Sequence, residues 1–283
     1  MLIDGKQISA QVRASVKEEV LKGNLELKLL VILVGDDPAS KVYVASKEKA
    51  CAEVGIKSDT IRLDASIGEE KLISIINDAN SDDSIDAILV QLPLPKGYNE
   101  ERVINAIDPL KDVDGLTLIN QGKLFNSNPG IIPATPKGIM KLIDSTNTDL
   151  TGLNALVIGR SRLVGKPIAS LLLARNATVT QAHSKTKNLS EVARNADILV
   201  VAIGKDRFVS KEFVKEGAIV IDVGINRVDG KLYGDVDFEG VKDLVSFITP
   251  VPGGVGPMTI ACLLENVIAC HDLRASKWKS LLV

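Results

Sequence analysis

Short aliphatic runs recur along the chain with longer helical patterns between them, and this alternation leaves few folds open. "LKLLVILVG", "SDTIRL" and "IDAILVQLPLP" read as strands, with helices over "PASKVYVASKEKACAEVG" and "GEEKLISIINDANSD". A second set, "ALVIG", "ATVTQAH", "ADILVVAIG", "GAIVIDVGIN" and "LVSFITPVP", is interleaved with patterns such as "KPIASLLLAR" and "LSEVARNA". Continuously apolar strands joined by helices make parallel sheets covered on both faces. The expected fold class is therefore α/β. At 283 residues the chain suits one large domain or two ordinary ones. The irregular stretch 108–136, rich in Gly, Asn and Pro, reads as the link between two α/β units.

Composition narrows the function classes. Aromatic residues are only 3% against 45% hydrophobic overall, so the core must be aliphatic. A net charge of −2 with scattered Lys and Arg offers no field for a nucleic acid backbone. The segment "ILVVAIG" is too short to span a bilayer, and the amino terminus carries no signal-like apolar stretch. Three cysteines, Cys51, Cys262 and Cys270, make no disulfide framework, which fits a reducing intracellular compartment. With only His183 and His271, and no ligand spacing near either, neither a metal site nor a Ser/His/Asp triad is expected.

In open parallel sheets ligands bind beyond the carboxyl ends of the strands. The unusual segments "GDDPAS", "QLPLP", "GRSRLVG", "HSKT", "VGIN" and "TPVPGGVG" each follow an expected strand. The helix after the first strand is capped by Asp37, started by Pro38 and stopped by Gly55. On a helical projection Tyr43, Lys47, Ala50 and Val54 share one stripe, so Lys47 interrupts an inward face. Such a lysine either snorkels or pairs as a structural ion, or has its proton affinity lowered by burial so that it can transfer protons. Gln91 ends a buried strand before two prolines and can hold Lys47 or a ligand carbonyl. Asp108, Asp112 and Asp114 lie in an irregular loop, where turn chemistry explains most such acids and one can read an NH-rich ring.

"ALVIGRSRLVGKPIASLLLAR" runs strand, glycine-bearing turn, helix, the place where a dinucleotide puts its pyrophosphate. The spacing Gly159, Ser161, Gly165 departs from GxGxxG. The following strand ends in "AHSKT", without the acid that reads an NAD ribose. Ser184 and Lys185 stand there instead, on spacing alone equally a turn serine and a solvated lysine; together with Arg160 they suit the 2′-phosphate of NADP. "TPVPGGVGPMT" brings Gly253, Gly254 and Gly256 among prolines, a loop suited to close approach of backbone to ligand.

The stretches "YVASKEKACAEVGI", "QLPLP", "DPLKDVDGL", "PATPKGIMKLI", "GRSRLVGKP", "HSKT" and "TPVPGGVGPMT", in that order and spacing, resemble the bifunctional methylenetetrahydrofolate dehydrogenase/cyclohydrolase family over essentially the whole chain. The resemblance implies two α/β domains flanking a cleft, the second of Rossmann type, and a homodimer in the cytoplasm. It implies a folate-binding catalytic domain over 1–120, an NADP-binding domain over 121–257, and a last helix, 258–283, returning to the first domain. The implied activity is NADP-dependent oxidation of 5,10-methylenetetrahydrofolate, then hydrolysis of the methenyl product to 10-formyltetrahydrofolate.

Carried residue by residue, Lys47 is the general acid/base, Tyr43 packs on the folate, Gln91 tunes Lys47 and Asp114 binds the pterin. Substrate contacts are implied for Tyr43, Val44, Ala45, Ser46, Lys47, Val90, Gln91, Leu92 and Asp114, and for Pro252, Gly253, Gly254, Val255 and Gly256. Cofactor contacts are implied for Gly159, Arg160, Ser161, Ser184 and Ile225. Ala134 and Ala182 stand where the family commonly has cysteine, which touches any thiol-based regulation and not the reaction. A short-chain dehydrogenase also uses Tyr-x-x-x-Lys, but there the pair follows the dinucleotide turn, and here it precedes it. An inactive folate- or NADP-binding relative is the other alternative, and intact Tyr43, Lys47, Gln91 and Asp114 speak against it.

Overall fold

β1 (Lys28–Val34) is aliphatic from Leu29 on, and those residues are buried. The structure, a computed structural model, describes residues 1–281, with side chains through residue 276. Along the chain run α1 (Gly5–Gly23), β1, α2 (Pro38–Val54), β2 (Lys57–Leu63), α3 (Glu69–Ser81), β3 (Ala87–Val90), α4 (Glu100–Ile104), α5 (Leu118–Phe125) and α6 (Ala134–Asp144). There follow β4 (Asn154–Ile158), α7 (Gly165–Ala174), β5 (Thr178–Ala182), α8 (Leu189–Ala193), β6 (Ile198–Val201), β7 (Ile219–Asp222), β8 (Asn226–Val228), β9 (Lys231–Tyr233), α9 (Phe238–Val241), β10 (Phe247–Ile248) and α10 (Val255–Leu281). Of the last helix expected over 258–283, residues 282–283 lie outside the described residues.

The chain divides into two compact units. The three-stranded unit takes residues 11–123, 128–134 and α10 from Ile260 onward; the five-stranded unit takes 1–10, 124–127 and 135–259.

In the three-stranded unit the order is β2-β1-β3, all parallel, with Leu29 opposite both Ser58 and Ala87. β2 is polar and partly exposed, as an edge strand must be. α3 turns Leu72, Ile76 and Ala79 onto the sheet, joining Ile32, Ile88 and Val103 in an aliphatic core. The 108–136 stretch is more ordered than a bare link. Residues 111–113 run beside β3, with Ile88 N donating to Lys111 O at 2.7 Å and Val113 N to Ile88 O at 3.4 Å. Asp112 Oδ2 accepts from Thr117 N (2.8 Å) and Asn120 Nδ2 (3.0 Å), which starts α5. Lys111 is 2% exposed, and its ammonium donates to Ala79 O (3.0 Å) and Asp82 O (2.7 Å) at the carboxyl end of α3. Asn266 on α10 donates to Val113 O and Ile132 O, and Arg274 to Ile85 O.

The five-stranded sheet has the order β10-β7-β6-β4-β5, all parallel. Leu156, Leu199, Val201 and Val220 form its core with Val209, Val236 and Ile248. β8 and β9 form a small antiparallel hairpin whose turn, Asp229-Gly230, has φ of 48° and 78°. No pattern in the sequence separates this hairpin from β7.

Candidate functional site

Each sheet has one point where the strand order reverses, and ligands of open parallel sheets bind beyond the carboxyl ends there. In the three-stranded sheet it lies at β1, flanked by β2 and β3; in the five-stranded sheet it lies at β4, flanked by β5 and β6.

α2 follows β1. Asp37 Oδ2 accepts from Ser40 N at 2.7 Å, Pro38 opens the helix, and Gly55 closes it at φ 86°. The inward stripe is Ser40, Val44, Ala50, Cys51 and Val54, all buried. Lys47 lies between Val44 and Cys51 on this stripe and is half-buried. Tyr43 projects onto the same arc, between Val54 and Ala50, yet is 48% exposed. Its ring stands one turn before Lys47 with an open face.

β3 delivers Gln91, which is buried and whose N–H continues the sheet to Ile32 O at 2.9 Å. Lys47 Nζ donates to Gln91 Oε1 at 3.1 Å, and Gln91 Nε2 is held by Leu92 O at 2.6 Å. The second bond fixes the amide so that its oxygen, not its nitrogen, faces the amine. Asp114 completes the group. Burial pushes Lys47 below the usual lysine range, opposed by the charge of Asp114; burial pushes Asp114 above the usual carboxylate range, opposed by Lys47 and reinforced by Asp112. Burial also pushes the nearby Cys51 thiol up to about 12, so it stays a thiol. The result is an amine biased toward neutrality and held by a neutral acceptor, the setting for proton transfer near neutral pH.

Of the other expected substrate contacts on this unit, Val44 and Val90 are buried, which leaves their backbone to offer. Ala45 is exposed, and Ser46 and Leu92 are half-buried. The Ser46 hydroxyl donates to Val42 O at 2.9 Å.

In the five-stranded unit β4 ends at Gly159, with φ 136°, where a Cβ would strike Ala202 O. A Cβ on Gly165 would strike Gly159 O, so the turn and α7 meet backbone to backbone. Ser161 Oγ accepts from Val164 N (3.1 Å) and Gly165 N (3.3 Å), so its hydroxyl caps α7. Arg160 is exposed. After β5, His183 N donates to Thr186 Oγ1 and His183 Nδ1 accepts from Lys185 N, a tight turn that leaves Ser184 and Lys185 exposed. Ile225, just past β7, is 50% exposed. A cavity of about 150 Å³ is lined by Ile225, Pro252, Gly253 and Gly256 together with Lys6 and Leu232. Gly254 and Val255 also line it and are buried, and Pro252 is exposed. A pyrophosphate and a 2′-phosphate both fit this edge: close-approach glycines at one turn, hydroxyl and cationic groups at the next.

The structure thus brings Lys47, Gln91 and Asp114 together in one unit, and Gly159, Arg160, Ser161, Ser184 and Ile225 to the strand ends of the other. Among the described residues, buried charged groups that escape a reading of the sequence include Asp86, Lys111, Asp222 and Asp235. The acid closing the apolar run "IVID" is the visible trace of Asp222. Among the described residues no cluster of His, Cys, Asp or Glu could hold a metal ion, and no helix is long and apolar enough to cross a membrane.

Known proteins resemble the chain over both units. Residues 3–114 match the tetrahydrofolate dehydrogenase/cyclohydrolase catalytic domain, and residues 133–275 the NAD(P)-binding domain of the same family. The bifunctional protein FolD of Acetivibrio thermocellus is 51% identical over 278 residues, covering 97% of this chain and 98% of its own. The crystal structure of the bifunctional FolD methylenetetrahydrofolate dehydrogenase/cyclohydrolase of Campylobacter jejuni is 48% identical, with a TM-score of 0.94 over 97% of this chain and 99% of that one. The Trypanosoma brucei methylenetetrahydrofolate dehydrogenase-cyclohydrolase, solved with NADP cofactor and inhibitor, is 34% identical with a TM-score of 0.92, covering 97% of this chain and 98% of that one. The chain belongs to the tetrahydrofolate dehydrogenase/cyclohydrolase family.

Proposed function

We propose that the chain oxidises 5,10-methylenetetrahydrofolate to the methenyl cation with NADP and then hydrolyses that cation to 10-formyltetrahydrofolate. The observation that carries the reading is the amine of Lys47, lowered in proton affinity by burial and held by the Gln91 carbonyl oxygen at 3.1 Å. The three-stranded unit, with α10, is the folate-binding catalytic domain; the five-stranded unit binds NADP.

Held by Gly159, Arg160, Ser161, Ser184 and Ile225, NADP would supply the acceptor for the hydride of the one-carbon bridge, and the substrate carbon would be left cationic. That cation disfavours the ammonium form of Lys47 still further. The neutral amine then accepts a proton from the water that adds to the carbon, the resulting ammonium returns it to the departing nitrogen as the C–N bond breaks, and the remaining proton on the added oxygen is released to solvent as the formyl C=O forms. Gln91 holds the amine through either state, because its oxygen accepts from both –NH₂ and –NH₃⁺. Asp114, raised toward the protonated form, hydrogen-bonds the pterin ring. Tyr43 offers its exposed face to the aromatic part of the substrate. The loop Pro252–Gly256 is a further substrate-contact segment, and Arg160, Ser161, Ser184 and Ile225 with Gly159 form the cofactor set. A homodimer in the cytoplasm completes the proposal, on the strength of the family resemblance.

The test follows methenyl absorbance with purified enzyme. Lys47→Met should leave NADP binding intact and slow hydrolysis by ~10²–10⁴-fold, the span of general acid–base catalysis. Hydrolysis by Lys47→Met at the unmodified rate would refute the assigned role, and an absence of any methenyl product from the unmodified protein would favour the inactive binding relative.

A further inference from the structure

Beyond β6 and β7 two carboxylates are buried, Asp222 at 3% and Asp235 at 0% exposure. Asp235 Oδ2 accepts from Ile203 N (2.7 Å) and Gly204 N (2.9 Å), and its Oδ1 from Lys205 N (2.8 Å) and Asn226 Nδ2 (2.9 Å). Asp222 Oδ1 accepts from Gly224 N (3.0 Å) and Asp235 N (2.8 Å), and its Oδ2 from Val236 N (2.9 Å). The backbone N–H of Asp222 donates to Thr249 Oγ1 at 2.8 Å, one residue before the Pro250–Gly256 loop. All seven donors to the two carboxylates are amide N–H groups, and they gather three segments: 203–205 after β6, 224–226 after β7, and 235–236 after β9.

The packing is shaped for the acids. A Cβ on Gly224 would collide with the Asp235 carboxyl, and one on Gly234 with the Asp222 carboxyl. Burying two carboxylates in one place is costly, and burial pushes Asp222 up to about 7. A pair kept for stability alone could tie any turns. This one ties the turns at the ligand-binding edge, and Ile225 sits between the clamped Gly224 and Asn226.

We propose that Asp235, backed by Asp222, is a positioning residue for NADP: it fixes the loops after β6 and β7 so that Ile225 and its neighbouring backbone form a preformed wall for the cofactor. The proposal rests on reading the five-stranded unit as the NADP site. A preformed wall spares the cofactor the cost of ordering those loops on binding.

Two variants test it. Asp235→Asn keeps shape but turns an NH₂ toward at least two N–H donors, whichever way the amide is set. Gly224→Ala leaves both acids in place and displaces the Asp235 carboxyl. NADP affinity, the NADP KM and kcat of oxidation, and cofactor-free hydrolysis of the methenyl substrate are measured on each. Both variants should raise the NADP Kd and KM by about tenfold or more, with hydrolysis unchanged, because hydrolysis uses Lys47 and no cofactor. An unchanged NADP KM in either variant would overturn the proposal. So would a parallel fall in hydrolysis and oxidation, which marks a purely structural clamp. If the unmodified protein neither binds nor uses NADP, it is the cofactor reading that fails.

Discussion

Replacing Gln91 by Glu changes one atom and converts the neutral partner of Lys47 into a charge. The carboxylate oxygen would occupy the place of Oε1, 3.1 Å from Nζ. At an effective dielectric of about 20, two unit charges at that separation attract by ~5 kcal/mol. Acting only on the ammonium form, this would raise the Lys47 pKa by ~4 units. Gln91 is 8% exposed, so the new carboxylate would itself resist ionisation and part of the attraction would be lost. The part that survives raises the Lys47 pKa and favours its ammonium form. The sign follows directly. Lys47 now lies below its usual range, so the neutral base is available as pH rises through that lowered value. Raising the value moves the rising limb of the hydrolysis profile to higher pH. Methenyl decay recorded from acid to alkaline pH should show Gln91→Glu slower at neutrality, by up to ~100-fold, and recovering in alkali. Unmodified hydrolysis at pH 7, or a profile that does not move, would refute the claim that a neutral amine is the base.

Two further outcomes are expected. Lys111→Met should strip Ala79 O and Asp82 O of their buried donor and lower stability by ~2–4 kcal/mol. Urea unfolding measures this, and a midpoint unchanged from the unmodified protein would show that α3 does not need the cap. Arg160→Ala should erode the preference for NADP over NAD by about tenfold, the effect of removing a single charge-assisted bond to the 2′-phosphate. The ratio of kcat/KM for the two cofactors reads it directly.

The sheets were legible because their strands are buried on both faces: β1, β3, β4, β6 and β7 are unbroken aliphatic runs that no other element accommodates. Lys47 and Gln91 were legible for a related reason, each a polar interruption where the pattern calls for apolar residues. The exposure of Tyr43 was not legible because projection onto an ideal helix gives the direction of a side chain and not whether another element covers it there. α5 and the 111–113 extension were hidden because their order comes from Asp112, bonded to a main-chain N–H and a side-chain amide nearby, and from Lys111, bonded to backbone carbonyls of α3 far back along the chain. Composition reports such loops as irregular. The Asp222–Asp235 clamp was illegible for the same reason, since all its donors but Asn226 Nδ2 are main-chain amides, which every sequence possesses.

The two acids and the two glycines against them also limit how this chain can diverge. An added methyl at either glycine collides with a carboxylate, and loss of either carboxylate leaves at least three amides without their acceptor. A tolerated change at one of these positions therefore needs a matching change at another. Descendants of this sequence should alter the set together or keep it whole.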